Sequence, residues 1–490
     1  MNKKLSIFVE FEQRLNNYSL YEELEWNEFF KINIADKYKP ENRECFKLPY
    51  FIIPVDQDKF IFEREYSDFF EKNLKHIFKN QNCYPFFVHP STEKMFLSWV
   101  KGRYKFIESV DSEYIATPSS SYRSLIVYND NTDNYFMVKC SIFDNIANGA
   151  RHIDWKSASG QFEYSKIVSE VLSNLNTDLK IFKDIGAFGI SGEFPMVLSN
   201  RFKIKFGSRY IQTLGNVIRI VPDDFFNTEN KCLSFASYMS LVDKESLLSL
   251  GYKNSGETFQ SFFENKIFNP LFKIMIDMIE NAGVSLEFHC QNTLLEINKD
   301  CIPTGKYFYR DFDLVALDRA RFPFKYPKLW EMYIRNRPDR TTLYANTSAR
   351  EDIGINLFNH FLDNLIKPCL KSAEKNQIIT KTEMNKIYNK LGRIIKSKIE
   401  KLMPVAQLFD GSYYCFGKEM FSKIHKTEIP IELQKINNFS MVSIDRKIRL
   451  WRKINNIDFD YYKTAQNDIL CFQNDILIQI IQKKDFKSEK

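Results

Sequence analysis

Glycine is scarce in this chain, whose 490 residues include 16 glycines and 45 phenylalanines. Flexible linkers and glycine-rich phosphate loops are therefore not expected, whereas apolar side chains are abundant enough for a large core. Nine cysteines are scattered from Cys45 to Cys471, and no two of them form a Cys-x-x-Cys pair. Because this spacing suits neither a zinc site nor a disulfide framework, we expect reduced thiols.

Long apolar runs are also absent. No run approaches the ~20 apolar residues that a helix needs to span a membrane. Near the N-terminus, Glu10, Glu12 and Arg14 interrupt the apolar region that a signal peptide would need. These absences predict a cytoplasmic protein that does not associate with membranes.

Charge of one sign is not concentrated anywhere along the chain. The 69 Lys and Arg residues are interspersed with 62 Asp and Glu residues, which leaves a formal net charge of +7. A continuous basic stripe, as nucleic-acid binding requires, does not occur before the short C-terminal tail. We therefore expect no nucleic-acid partner, while small anionic substrates remain compatible with the charge balance.

The length and the hydrophobic content of 44% predict a globular α+β protein. Roughly two to four domains are expected at this length. We predict three parts: a short helical cap at 1–83, a strand-rich middle domain at 84–210, and a larger mixed domain with a helical bundle at 211–490.

Local patterns place several elements within these parts. An Asx-rich turn at 129–134 separates two β-rich runs and predicts a hairpin of 123–128 with 135–143. A further strand is predicted at 216–221. Apolar periodicity predicts helices at 11–32, 162–179, 271–281, 355–372, 380–402 and 465–482.

A first polar cluster lies in the strand-rich part. Ser119, Ser121 and Arg123 alternate along a hydroxyl-dense loop, so they share one side if the loop is extended. Hydroxyls beside a guanidinium suit a phosphate or a carboxylate. Lys139 and Arg151 follow in the same part of the chain. The alternative is a solvated serine loop with ordinary surface cations, and the local sequence leaves both interpretations open.

A second polar cluster lies at 284–291, where apolar and polar residues alternate strictly. This period of two predicts a half-buried strand that projects Glu287, His289 and Gln291 from one face. A second extended run at 307–314 brings Asp311 and Asp313 alongside.

The chemistry of this second cluster can also be interpreted in two ways. His289 alone could be a core histidine with satisfied hydrogen bonds, and the two aspartates could be surface carboxylates. Burying Glu287, His289 and Gln291 together without a ligand, however, would leave several polar groups in need of partners. Carboxylates and amide oxygens are the groups that Mg²⁺ with a triphosphate requires. We therefore interpret this stretch as part of a metal-nucleotide site.

The order of these motifs resembles one enzyme family. The runs at 119–124 and 287–292, the later Arg310-Asp311-Phe312, and the Val-His-Pro run at 88–90 are similar to the signature of the NRPS-independent siderophore synthetases, which include the aerobactin synthetases. The spacing from Arg151 to His289 is similar to that of the family. The resemblance covers roughly residues 84–320.

The resemblance implies an ATP- and Mg²⁺-dependent ligase of siderophore biosynthesis, and hence of iron acquisition. Such an enzyme adenylates a carboxylic acid, often citrate, releases pyrophosphate, and passes the acyl group to an amine or hydroxylamine. ATP would lie between the last two domains, and a homodimer is possible. The implied roles are catalysis by Arg123 and His289, nucleotide binding by these two with Ser119, Ser121, Lys139, Arg151, Gln291 and Asn292, and metal binding by Glu287 and Asp311.

The sequence departs from the family pattern at several points. An upstream Gly-His-Pro element is missing, Ser124 replaces a threonine, and Asp313 replaces a glycine. These departures keep an inactive, synthetase-like binding protein open as an alternative. A kinase-like phosphotransferase is a second alternative, although Gln291 occupies the place of the aspartate base and no glycine-rich loop precedes it.

Overall fold

The structure is a computed structural model that describes residues 36–402 with gaps at 43, 56–58, 101, 133, 147–148, 196–209, 227–228, 241–244, 314, 318–321 and 330–355, together with 434–435, 460–463, 469–473 and 476–481. The described chain contains both helices and several sheets, which confirms the predicted α+β class.

The described chain divides into two compact units. The first unit comprises the described residues up to Pro270 together with His289–Asp313 and Pro368–Ile379. The second unit comprises Leu271–Phe288, the described residues of 314–367 and those from Thr380 onwards. The three domain boundaries drawn from the sequence remain predictions.

The largest sheet of the first unit has seven antiparallel strands. In spatial order they are β1 (Phe46–Lys47), β7 (Tyr114–Pro118), β8 (Ser124–Asn129), β9 (Asn134–Lys139), β14 (Tyr210–Arg219), β13 (Asp184–Pro195) and β3 (Phe60–Phe62). The predicted hairpin is confirmed as β8 and β9, and the strand predicted at 216–221 is confirmed within β14. The Asn129 side chain accepts a hydrogen bond from the backbone N–H of Asn131 at 2.9 Å, as an Asx turn requires.

Three smaller sheets complete the strands of the first unit. One has the order β4 (His76–Phe78), β5 (Gln81–Phe87), β2 (Tyr50–Pro54) and β6 (Lys105–Ile107). Another has the order β12 (Leu179–Ile181), β18 (Pro303–Tyr309), β17 (Thr293–Ile297) and β15 (Lys231–Ser234), and the third pairs β10 (Ile142–Ile146) with β11 (Gly149–Arg151).

The helices of the first unit include α1 (Ser67–Asn73), α2 (Glu93–Trp99), α3 (Trp155–Ser173), α4 (Phe235–Met239), α5 (Leu247–Ser255) and α6 (Phe259–Phe263). Short 3-10 helices occur at Asp36–Tyr38, Pro40–Asn42, Arg64–Tyr66, Pro90–Thr92, Ser109–Asp111 and Asp223–Phe226.

Helix α3 differs from the helix predicted at 162–179 at both ends. It begins earlier because the side chain of Asp154 accepts a hydrogen bond from the backbone N–H of Ser157 at 2.6 Å and so caps the helix. It ends earlier because the chain then enters β12, which pairs in parallel with β18. The residues between, Asn-Leu-Asn-Thr-Asp, contain few strong helix formers.

The second unit contains most of α7 (Asn269–Ala282), α8 (Phe322–Lys325), a π-helical segment at Asn356–Ile366 that continues into α9 (Lys367–Lys375), and α10 (Lys381–Leu402). Most of α9 belongs to the first unit. Gly283 directly follows α7 and has a φ of 69°, the left-handed conformation in which glycine commonly ends a helix. The helices predicted at 271–281, 355–372 and 380–402 are thus confirmed. None of the described helices is long and apolar enough to cross a membrane.

The helix predicted at 465–482 is wrong. The described residues there form the strands β22 (Ile469–Gln473) and β23 (Ile476–Ile481), which pair antiparallel. They belong to a sheet with β20 (Gln434–Lys435) and β21 (Asp460–Lys463). Isoleucine dominates β23, and β-branched side chains favour strands over helices.

The strand predicted at 284–291 is also largely wrong. Only β16 (Val284–Ser285) is a strand, and it pairs with β19 (Ala316–Leu317). The alternating burial that the pattern predicts is nevertheless present, because Leu286, Phe288 and Cys290 are buried while the polar residues between them are half-buried. Among the described residues no strand pairs with the chain beyond Ser285, and the chain turns at 290–292 before it enters β17.

The run predicted at 307–314 is extended only at its start. It belongs to β18, whose pairing with β17 ends at Tyr309 opposite Thr293. Beyond this last pair the backbone turns, and Asp311 adopts a φ of 78°. A positive φ is unusual for a residue other than glycine, although aspartate tolerates it better than most.

The helical cap predicted at 1–83 is described only in part. The helix predicted at 11–32 lies outside the described residues. From residue 44 to residue 83 the described chain contains β1 to β4, the beginning of β5, the α-helix α1 and the 3-10 helix Arg64–Tyr66. The described residues of 44–83 therefore form mainly strands, and not the helices predicted for the cap.

Aromatic side chains account for much of the core of the first unit. The Phe60 ring stacks on Tyr84 at a centroid distance of 4.6 Å and on Phe188 at 5.0 Å. Phe70 and Phe86 are fully buried in the same cluster. Stacked and edge-on aromatic pairs stabilise a core beyond the area that they bury.

Helix α3 lies directly on the large sheet, where glycine permits a close approach. A Cβ added at Gly215 of β14 would lie 2.5 Å from the Cβ of Ala158 and 3.0 Å from the carbonyl oxygen of Asp154. The Gly215 N–H donates to the Ile153 carbonyl at 2.8 Å. The close packing of α3 on the sheet therefore depends on the absence of a side chain at Gly215.

We expect Gly215→Ala to reduce the free energy of unfolding by about 1–3 kcal/mol, because the new methyl group overpacks a rigid contact. Urea unfolding measures the change. Gly192→Ala is the matched control, since the three atoms nearest to an added Cβ there all belong to the side chain of Phe194 and none to the backbone. An equal loss of unfolding free energy in both variants would contradict this account of how α3 packs on the sheet.

Candidate active site

The hydroxyl-dense loop lies between β7 and β8 in the first unit. Its backbone is closed by the Ser119 N–H, which donates to the Ser124 carbonyl at 2.8 Å. The Ser119 hydroxyl oxygen accepts from the Ser121 N–H at 3.1 Å. Ser119 is buried and Ser121 is half-buried. Ser119 therefore shapes the loop, and Ser121 is the more accessible hydroxyl of the two predicted.

The turn at 289–292 meets this loop. The Gln291 side chain donates to the Ser120 carbonyl at 3.1 Å. The Arg310 guanidinium donates to the Ser120 hydroxyl at 2.6 Å and to the Gln291 carbonyl at 3.0 Å. The structure thus brings together two clusters that lie far apart in the sequence. Ser120 and Arg310 are both buried, and the sequence analysis did not identify either as a residue that joins them.

His289 is oriented by its own turn. Its Nδ1 accepts a hydrogen bond from the backbone N–H of Gln291 at 3.1 Å. Its carbonyl accepts from Asn292 at 3.1 Å and from Thr293 at 3.0 Å. Because Nδ1 is an acceptor, a neutral His289 carries its proton on Nε2. Nε2 is therefore the atom from which this ring can donate.

Lys139 is the buried cation of the site. Its side chain is 2% exposed, and its ammonium donates to Asp311 Oδ1 at 2.5 Å and to Gln161 Oε1 at 2.9 Å. Asp313 Oδ2 lies 3.7 Å from the same ammonium. A buried ammonium requires such partners, because leaving it unpaired is costly.

Two uncharged side chains of helix α3 complete this network. Gln161 donates to Asp313 Oδ1 at 3.1 Å, and the Ser157 hydroxyl donates to the same oxygen at 3.1 Å. Gln161 is buried, and it lies one helical turn after Ser157. Neither residue was predicted from the sequence, because both precede the helix predicted at 162–179.

Arg219 and Asp184 form a further buried ion pair. Arg219 Nε donates to Asp184 Oδ1 at 2.5 Å, and the two side chains are 2% and 0% exposed. The strands β13 and β14 place these residues opposite each other. Burial raises the pKa of Asp184 against the effect of the guanidinium, while Asp184 raises the pKa of Arg219 against the effect of burial.

Asp311 is the carboxylate on which these cations act. Burial works to raise its pKa, but Lys139, Arg219 and Arg123 together lower the pKa of Asp311 well below its usual range. Asp311 is therefore ionised at neutral pH. Arg123, from the turn that precedes β8, is one of the cations that lower this pKa.

The remaining predicted residues are placed less fully. Asn292 is buried, and its carbonyl accepts from the backbone N–H of Arg310 at 3.1 Å. Arg151 ends β11, opposite Ile142 of β10. The nucleotide-binding role of Arg151 stays a prediction.

The metal ligands predicted from the sequence are Glu287 and Asp311. In the second unit Glu287 Oε1 lies 3.1 Å from His360 Nδ1. Burial lowers the pKa of His360 to about 4, so that ring is neutral at neutral pH. In the described part of the chain, no group of three or more His, Cys, Asp or Glu side chains is arranged to hold a metal ion. Metal binding stays a prediction.

His89 of the Val-His-Pro run is structural. It is fully buried, and its Nδ1 accepts from the Ser91 N–H at 3.3 Å, which caps the following 3-10 helix. The Tyr38 ring packs edge-on against it at 5.3 Å. Burial lowers the pKa of His89 to about 3, so the ring is neutral.

Comparison with known proteins identifies the fold. No family model matches the chain, and no curated protein matches it. Among solved structures, ATP-bound aerobactin synthetase IucA from Klebsiella pneumoniae superposes with a TM-score of 0.59 at 15% identity over 86% of this chain and 75% of that one. Petrobactin biosynthesis protein AsbB from Bacillus anthracis gives 0.55 at 15% identity over 86% and 73%. Aerobactin synthetase IucC from Klebsiella pneumoniae gives 0.53 at 13% identity over 76% and 66%.

These neighbours are all NRPS-independent siderophore synthetases. The chain has the fold of that family, which confirms the resemblance drawn from the ordered motifs. At these identities the comparison establishes the fold alone.

We expect Asp184→Asn to reduce the free energy of unfolding by about 3 kcal/mol or more, because it leaves the buried Arg219 charge without a counter-ion. Urea unfolding at neutral pH measures the change. The control is Asp224→Asn, which breaks a half-exposed pair with Lys180 and should cost less than about 1 kcal/mol. A loss at Asp184 no larger than the loss at Asp224 would contradict this role of the pair.

Proposed function

We propose that this chain is an ATP-dependent siderophore synthetase, a carboxylate-amine ligase that releases AMP and pyrophosphate. The observation that carries the proposal is the polar network of the first unit. There Lys139 contacts Asp311, and Gln291 contacts the serine loop, so that two separate motifs form one site. The fold shared with siderophore synthetases supports the same class, and the IucA neighbour is ATP-bound.

The cations of the site suit the nucleotide. Arg123, Lys139 and Arg151 would neutralise the triphosphate, with Arg123 able to contact an oxygen pair through its planar fork. Ser121 would donate from its half-buried hydroxyl. Bound ATP supplies the electrophilic α-phosphorus that a substrate carboxylate attacks.

His289 has the geometry of a donor to developing charge. Its Nδ1 is occupied as an acceptor, so Nε2 is the proton-bearing atom. A fixed donor of this kind stabilises charge more in the transition state than in the ground state. We assign His289 this role together with Arg123.

Asp311 would hold Mg²⁺ in the first unit. Asp311 fits the role because it is ionised and presents carboxylate oxygens. In the described part of the chain, Asp311 belongs to no group of three or more His, Cys, Asp or Glu side chains that could hold the ion. The ion would therefore take its remaining ligands from water and from the triphosphate, as Mg²⁺ commonly does.

The substrates would be a carboxylic acid of the citrate class and an amine or hydroxylamine. The test is pyrophosphate release with ATP and Mg²⁺ across citrate, 2-oxoglutarate and succinate, each combined with diamines and hydroxylamines. Turnover that requires one acid and one amine and releases AMP supports the proposal. Release of ADP would identify a phosphotransferase, and silence across the panel would favour an inactive synthetase-like protein.

We expect Arg123→Ala to lower the rate of pyrophosphate release by at least about 100-fold, because one fixed donor to developing charge contributes about that much. Arg103→Ala is the control. That arginine is exposed and donates to the Ser191 carbonyl at 2.5 Å. Retention of the full rate by Arg123→Ala would exclude Arg123 from the chemistry.

A further inference from the structure

The side chains of Lys139, Gln161 and Asp313 form a closed ring of contacts. Lys139 donates to Gln161 Oε1 at 2.9 Å, Gln161 donates to Asp313 Oδ1 at 3.1 Å, and Asp313 Oδ2 lies 3.7 Å from Lys139. The Ser157 hydroxyl fixes the same carboxylate at 3.1 Å. Asp313 is thus held in place by α3 and directed at Lys139.

The ring gives Lys139 a second carboxylate. Asp311 already forms a close ion pair with the ammonium, so one positive charge faces two negative ones. Asp313 stands where the family resemblance predicts a glycine, and a glycine would leave Lys139 with one carboxylate. The extra negative charge is therefore a feature of this chain.

We propose that Asp313 is a positioning residue that holds Lys139 in a two-carboxylate clamp and so sets the affinity of the site for polyphosphate. The inference rests on the proposed function, because it concerns the cation assigned to the triphosphate. An incoming triphosphate must compete with Asp311 and Asp313 for the ammonium, and it is also repelled by the Asp313 charge. Both effects weaken the binding of an anionic ligand.

Measurements of ligand binding can distinguish an effect of the Asp313 charge on Lys139 from a purely structural role of Asp313. If Asp313 only anchored α3, its replacement would change stability and would affect all ligands equally. If its charge restrains Lys139, the effect must grow with the number of phosphates on the ligand and vanish for a neutral nucleoside. Asparagine preserves the shape and one acceptor oxygen for Ser157, so it removes the charge with little loss of anchoring.

The experiment is calorimetric titration of the full chain with adenosine, AMP and ATP in EDTA, without divalent cations. We expect Asp313→Asn and Asp313→Gly to bind ATP at least about tenfold more tightly than the native chain, to bind AMP with a smaller gain, and to bind adenosine unchanged. Asp224→Asn is the matched control. Its carboxylate is 38% exposed, as that of Asp313 is, and it also pairs with a lysine, but it lies outside the ring.

ATP affinity in both Asp313 variants equal to or below that of the native chain, with native urea midpoints, would overturn the clamp while leaving the proposed function intact. A gain of the same size for adenosine would also overturn it. Absence of ATP binding in the native chain and in every variant, with and without Mg²⁺, would instead contradict the proposed function and the clamp with it.

Discussion

The buried ammonium of Lys139 is the constraint from which the site follows. A lysine that is 2% exposed cannot remain charged in a protein interior without acceptors, and none of its partners lies near it in sequence. Asp311, Asp313 and Gln161 must therefore converge on β9. Their convergence brings the end of β18 and the buried face of α3 to the end of β9, a central strand of the large sheet, next to the start of β8 where the serine loop ends.

The surrounding fold supports that convergence. Gly215 lets α3 approach the sheet closely enough for Gln161 to reach Lys139. The Asp184–Arg219 pair adds a second buried cation that helps to keep Asp311 ionised. Arg310 then ties the His289 turn to the serine loop. Packing and charge thus act on the same few elements, those that hold the proposed nucleotide site together.

Sequence patterns predicted what depends on neighbours in the chain. The hairpin of β8 and β9 follows from its Asx turn, and α7 follows from the glycine after it. The ordered motifs predicted that two distant polar clusters meet, and Gln291 and Arg310 do contact the serine loop. The patterns failed where tertiary partners decide. Among the described residues, the alternating run at 284–291 pairs with another strand only as far as Ser285, and the apolar run at 465–482 forms two strands that pair with each other. Gln161 and Ser157 were missed because their partner, Asp313, lies in a distant part of the chain.

The central claim is that this site activates a carboxylate as an acyl adenylate. The most direct measurement supplies the acid required for turnover with ¹⁸O in its carboxylate and analyses the products by mass spectrometry. The account predicts one ¹⁸O atom in the phosphate of AMP, because the carboxylate oxygen that attacks the α-phosphorus stays with AMP when the amine takes the acyl group. Transfer of ¹⁸O into inorganic phosphate, with ADP as the other product, would contradict the account.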